Sequence, residues 1–245
     1  MNTFSVSIKP FGKQAILIEW PNEVNEAILN DILQFEHHLK KNCLDMALWE
    51  CIPSYNSITL VALKEPIDFK SLERNVFKWY AEIKNVSLAQ RYLWRLPVCY
   101  DTDFGMDLEE VAGHLGHTID KIIALHTAQQ YTVYGIGFLP GFMYLGGLPK
   151  ALEISRKETP RLKVPQGAVG LASRQTGIYP QESPGGWNII GNCPVTIFNV
   201  ENDPPCFVGM GDKIQFYAIS KAEYDLYKIE NEVGVFKLEK QELDA

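Results

Sequence analysis

Apolar and polar residues alternate at Phe4, Val6 and Ile8, and Gln14–Trp20 is rich in branched aliphatics, so both stretches are expected to be strands. The period then lengthens. Val24, Ile28, Ile32, Phe35 and Leu39 recur at helical spacing behind Asn22, which is expected to cap that helix. Met46–Ile52 and Ser57–Leu63 return to strand composition around the turn Pro53-Ser54-Tyr55-Asn56. A second helix begins near Asp68, with Phe69, Leu72, Val76 and Tyr80 on one face, and Arg91–Leu96 closes the set as a strand. After the opening strand the order is β-α-β-β-α-β, the split βαβ arrangement. Residues 1–96 are therefore expected to form an N-terminal ferredoxin-like α/β sandwich domain.

From Pro97 the pattern changes. Asp107 with Glu110 resembles a capping box opening a helix through Val111 and Leu115, and Thr118 can cap another that carries Ile119, Ile122, Ile123 and His126. Short β-like runs follow at Val133–Phe138, Val169–Ser173, Val195–Asn199 and Lys213–Ile219, separated by glycine and proline turns. Thirteen of the 18 glycines fall between Gly135 and Gly211, which marks a compact β barrel or sandwich. A terminal helix over Ala222–Ile229 and a charged tail follow. The expected whole is an α+β chain whose second domain, residues 97–245, joins two leading helices, a β structure and a terminal helix.

Composition narrows the function. The 245 residues are 46% hydrophobic and 22% charged, ordinary for a globular protein. A net charge of −7 argues against a general nucleic-acid or anionic-membrane binder. No apolar run has the length of a transmembrane helix and the opening MNTFSVSIKP lacks a signal-peptide core, so a cytoplasmic location is expected. The cysteines, Cys43, Cys51, Cys99, Cys193 and Cys206, are odd in number and form no CxxC pair, which fits reduced thiols.

The chemistry candidates gather around two runs that combine glycine, proline and large aromatics, Tyr134–Gly147 and Tyr179–Gly191. Between them lies a basic cluster, Arg156, Lys157, Arg161, Lys163 and Arg174, able either to receive a carboxylate or phosphate or to tie turns to backbone carbonyls. Pro184-Gly185-Gly186-Trp187 reads either as a nest of backbone N–H groups walled by Trp187 or as a tight barrel turn. Tyr144 and Tyr179 share that ambiguity. His126 is a candidate base or a structural histidine at a helix end, and Cys193 a candidate nucleophile or a small core residue. No metal site is expected, because His37-His38 and His114 with His117 lack carboxylates or thiols at ligand spacing. No Walker A, HExxH or GxSxG run occurs, and Gly135-x-Gly137-x-x-x-Gly141 misses the dinucleotide fingerprint by one residue.

The succession His126, Tyr131-Thr132-Val133-Tyr134, Gly137-Phe138-Leu139-Pro140-Gly141-Phe142-Met143-Tyr144-Leu145-Gly146, Pro160-Arg161-Leu162-Lys163-Val164-Pro165-Gln166-Gly167, Tyr179-Pro180, Ser183-Pro184-Gly185-Gly186-Trp187 and Ile190-Gly191 resembles the allophanate hydrolase subunit 1 family. That family includes the B component of the bacterial ATP-dependent 5-oxoprolinase and a sporulation-kinase inhibitor. The resemblance implies an N-terminal α/β domain followed by a cyclophilin-like β barrel. It also implies a partner resembling allophanate hydrolase subunit 2 (the C component of 5-oxoprolinase), acting with the A component of the same enzyme. The implied reaction is ATP-dependent opening of 5-oxoproline to glutamate, with ATP bound elsewhere in the complex and this chain inactive alone. Its alternatives are an anti-kinase that docks on a sensor histidine kinase and a component of a urea carboxylase or allophanate hydrolase-like system.

Within that reading, Arg161, Arg174, Tyr179, Gly185, Gly186, Trp187 and Tyr144 are expected to form a cationic substrate wall, with Arg161 serving the site rather than the fold. His126 and Cys193 remain the catalytic candidates. One departure stands out: the chain has Asn192-Cys193-Pro194 where the family usually places arginine or a similar residue and threonine before the proline.

Overall fold

The structure, a computed structural model, describes residues 4–83 and 90–243. In the first unit, residues 1–90, β1 (Ser7–Phe11) and β2 (Ala15–Glu19) form an antiparallel hairpin. Helix α1 (Glu26–His38) follows, capped by Asn25, whose side chain accepts the Ala27 N–H. The helix therefore starts later than its apolar spacing suggests, and Val24 is left outside it and exposed. Then come β3 (Trp49–Ser54), β4 (Ser57–Ala62) and α2 (Phe69–Ala81), the last beginning beside Asp68 as expected, with the Asp68 side chain accepting the Ser71 N–H. The sheet runs β1-β2-β4-β3, antiparallel throughout. Its Ile16, Ile18, Ile58 and Leu60 are buried, as are Ile28, Ile32 and Phe35 of α1 and Val76 and Tyr80 of α2. Both edge strands carry a proline, Pro10 on β1 and Pro53 on β3, a residue that cannot donate to a further strand.

A ferredoxin-like domain is not confirmed. Strands β2, β4 and β3 keep the order that a split βαβ unit needs, but β1 occupies the outer edge of β2. The strand expected to close the set lies in the second unit, residues 91–244, so the expected boundary at residue 97 falls inside it.

That strand is β5 (Tyr92–Cys99). It is followed by α3 (Leu108–Leu115), α4 (Ile119–Thr127), β6 (Gln130–Ile136) and β7 (Met143–Gly146). Next come β8 (Arg161–Val164), β9 (Ala168–Ala172), β10 (Gln175–Ile178), β11 (Ser183–Gly185) and β12 (Asn188–Asn192). The unit ends with β13 (Lys213–Ile219), α5 (Lys221–Glu232) and β14 (Glu239–Glu242). Seven strands close a barrel in the order β12-β9-β10-β7-β6-β13-β5, the ring being completed where Asn192 of β12 meets Cys99 of β5. The β5–β13 pair is parallel, β14 adds to the first half of β5, and β8 pairs with β11 as a separate ribbon. Val195–Asn199, expected as a strand, makes only an isolated bridge from Phe198 to Cys206, because the Thr196 N–H goes to the Asn231 side chain instead of a ladder.

Alternation sorts the barrel's two faces. Val169 and Leu171 of β9 point inward to join Val98, Tyr131, Val133, Met143, Leu145, Ile190 and Phe216. Ala168 and Ala172 face outward with Gly170 between them, and a Cβ on Gly170 would lie 3.0 Å from Trp187 Cβ. This strip of small residues lets large aromatics lie directly on the outside of the barrel.

Asp212, 4% exposed, pins the start of β13 to β5. Its carboxylate accepts the Tyr92 N–H, the Trp94 indole N–H and the Gly209 N–H, each at 2.9 Å. Removing such an acceptor strands three donors, the buried Trp94 indole N–H among them. Asp212→Ala is expected to cost about 3 kcal/mol, read as a lower urea midpoint at unchanged m-value; a wild-type midpoint would show that the pin is dispensable.

Candidate functional site

The two glycine-aromatic runs meet on the outer face of the barrel. Phe142 lies at the centre, its ring 4.9 Å from Tyr144, 5.2 Å from Tyr179 and 5.4 Å from Trp187, each contact edge-on. Tyr179 and Trp187 are buried and Tyr144 is half-buried. Gly185 presses against the Tyr179 hydroxyl so closely that a Cβ there would overlap it, which explains the glycine. Neither Gly185 nor Gly186 has a positive φ, which favours the tight-turn reading of this run over the nest. Gly185 instead pairs with Arg161 in the β8–β11 ribbon, and the Gly186 carbonyl accepts the Lys157 N–H at 2.8 Å.

Beside these aromatics lies a charge cluster that turns on Asp107, 1% exposed. Sequence spacing assigns this residue to a capping box, yet its side chain makes no capping bond. One carboxylate oxygen meets the Arg161 guanidinium and, at 3.0 Å, the Lys157 ammonium, while the other accepts the Ile189 N–H at 2.7 Å. Lys157 also reaches Glu110 at 2.8 Å, and its pKa is raised, chiefly by that hydrogen bond. Arg161 Nη1 is buried without a hydrogen-bond partner. Arg156 is exposed, with its guanidinium carbon 5.8 Å from the centre of the Trp187 ring. Burial raises the pKa of the Tyr179 phenol, against the opposing influence of the Trp187 backbone N–H and of Arg156 and Arg161.

Six of the seven residues expected in the wall therefore come together: Arg161, Tyr179, Gly185, Gly186, Trp187 and Tyr144. Arg174 sits exposed in the β9–β10 turn and joins none of these contacts. Asp107 and Glu110 carry no site signal in a single sequence, because an acid opening a helix reads as a cap.

Both catalytic candidates are sealed in the interior. His126 has no exposed surface and stacks on Phe216 at 4.7 Å with 12° between the rings. The Thr176 hydroxyl donates to the Gly170 carbonyl and so accepts from His126 Nε2–H at 2.9 Å. His126 Nδ1 in turn accepts the Tyr100 hydroxyl at 2.7 Å. The ring is thus neutral and saturated, and burial lowers its pKa to about 3. Cys193, 2% exposed, has its thiol pushed up to about 12 by burial, so it carries a proton at neutral pH and is a poor nucleophile. Its neighbour Asn192 braces the fold, donating to the Gln166 carbonyl and accepting the Tyr224 hydroxyl. A 530 Å³ groove in the first unit is lined by Leu48, Trp49, Ile67 and Leu72, with Lys64, Glu65, Asp68 and Ser71 also on its wall.

The family described as carboxyltransferase domain, subdomain C and D, matches residues 6–208. The chain is 34% identical over 241 residues to the B component of the 5-oxoprolinase of Bacillus subtilis strain 168, an alignment covering 94% of this chain and 99% of that protein. Among solved structures, TTHA0988 is similar with a TM-score of 0.73 and 31% identity, over 84% of this chain and 40% of that one. The urea carboxylase of Kluyveromyces lactis, at 18% identity, shares the fold with a TM-score of 0.80 over 97% of this chain and 24% of its own. The chain thus spans less than half the length of either solved protein.

The sealed imidazole has a pH signature. The unfolded chain binds a proton near pH 6.5 and the folded one only near pH 3, so stability is lost as pH falls below about 6.5. Between pH 7 and 5 this residue is expected to remove about 2 kcal/mol of stability, with urea unfolding of His126→Asn showing the shallower slope. Imidazole NMR shifts of a charged ring at pH 5 would contradict this account.

Proposed function

The chain belongs to the family of carboxyltransferase domains, subdomains C and D, and on that premise we propose that it is the B component of an ATP-dependent 5-oxoprolinase. The observation that carries the proposal is its 34% identity to a protein of that name along 99% of that protein's length. The reaction opens the lactam of 5-oxoproline to glutamate. An unactivated lactam resists water, and phosphorylation of its carbonyl oxygen creates a leaving group and a more electrophilic carbon. Catalysis then consists largely of positioning and of stabilising negative charge.

The geometry supports a binding role for this chain in that chemistry. A neutral, saturated His126 and a protonated Cys193 offer neither base nor nucleophile, whereas the aromatic and cationic cluster offers a wall. In this reading Tyr144, Tyr179 and Trp187 with the Gly185–Gly186 backbone exclude water from one side of the lactam, beside the cationic cluster. ATP binds elsewhere in the complex, and the chain is inactive alone. Its partners are a protein resembling allophanate hydrolase subunit 2, as the C component of 5-oxoprolinase, and the A component. The larger size of TTHA0988 supports this reading, since the matching region there is one part of a longer polypeptide. We read the barrel as cyclophilin-like, a fold that by itself assigns no isomerase activity. The five unpaired cysteines support a reducing compartment, and we place the protein in the cytoplasm.

Combined with the two other components of the enzyme, the chain is expected to yield ATP-dependent release of glutamate from 5-oxoproline. Omitting it should reduce turnover to background. Full activity of those two components without this chain would sink the assignment.

A further inference from the structure

Three cations stand beside the aromatic cluster, and two are already neutralised. Arg161 and Lys157 both meet the Asp107 carboxylate, and Lys157 also meets Glu110. Arg156 is different: among the described residues it has no carboxylate partner, and its guanidinium lies over the Trp187 ring at 5.8 Å. The backbone on either side of it is anchored. Asn188 Nδ2 donates to the Ser155 carbonyl at 2.9 Å, and the Lys157 N–H donates to the Gly186 carbonyl at 2.8 Å. The side chain is therefore presented from a fixed position rather than from a loose loop.

A guanidinium over an aromatic face keeps its in-plane N–H edge free, and that edge matches the two oxygens of a carboxylate. A phosphoryl group carries more charge and calls for several unpaired cations, and here Asp107 and Glu110 have consumed the others. We propose, resting on the 5-oxoprolinase reading, that Arg156 is the residue of this chain that recognises the carboxylate of 5-oxoproline. Arg161 and Lys157 are then positioning residues, which hold the segment carrying Arg156 against the barrel through Asp107.

The test uses the complete complex with Arg156→Ala and Arg156→Lys in this chain. Loss of a bidentate charge-assisted pair is expected to raise KM for 5-oxoproline at least about tenfold. KM for ATP, kcat and the melting temperature should stay near wild type, and Arg156→Lys should recover only part of the loss. Wild-type complex should also prefer 5-oxoproline to its carboxamide, a preference that Arg156→Ala loses. A wild-type KM in Arg156→Ala, full recovery by lysine, or a rise confined to the KM for ATP would overturn the assignment. Absence of any 5-oxoproline turnover by the wild-type complex would instead overturn the functional reading beneath it.

Discussion

The outer site depends on one buried carboxylate. Asp107 is enclosed almost completely, and an isolated ion there would cost several kcal/mol of desolvation. Its two oxygens receive an arginine, a lysine and a backbone N–H, and those three donors come from β8, the segment before it, and β12. One side chain at the start of α3 thereby fastens the β8–β11 ribbon and the loop carrying Arg156 to the barrel wall. The helix gives up its side-chain cap, a loss of about 1 kcal/mol, and the ribbon gains its anchor. The aromatics could not keep their edge-on contacts if that ribbon drifted.

The same trade of local preference for distant contact decides which parts of the fold were legible. Helices α2 and α4 were, because Thr118 makes its expected cap, α2 starts beside Asp68 as read, and the apolar spacing agrees with both. The β13 strand was legible to the residue, since Ile214 and Phe216, both buried, alternate with the less buried Lys213, Gln215 and Tyr217. The ribbon strand β11 contains Pro184, and β14 is made wholly of exposed charged and amide side chains, so neither shows a strand pattern. The β14 strand exists because β5 offers it an edge and Lys240 lies over the rings of Tyr92 and Trp94. The closing strand assigned to the first unit was misplaced for the opposite reason. Its own pattern was read correctly, but periodicity cannot say which sheet a strand joins.

The site was legible in its materials and not in its logic. Glycine beside tryptophan and tyrosine announced close packing, and the two runs do converge. Which cations remain available was invisible, because it depends on carboxylates more than 45 residues away in the chain. The histidine that looked best placed for catalysis has both nitrogens occupied, and the cysteine beside the second run is a protonated core residue.

The parallel pairing of β5 with β13 has a consequence for how the protein is made. Tyr92 and Asp212, which fasten those strands together, are 120 residues apart. During synthesis β5 emerges long before its parallel neighbour exists, so its ladder groups and the apolar inner face of the growing sheet stay uncovered until the far end of the barrel is translated. Ring closure therefore has to wait until the far end of the barrel has been translated.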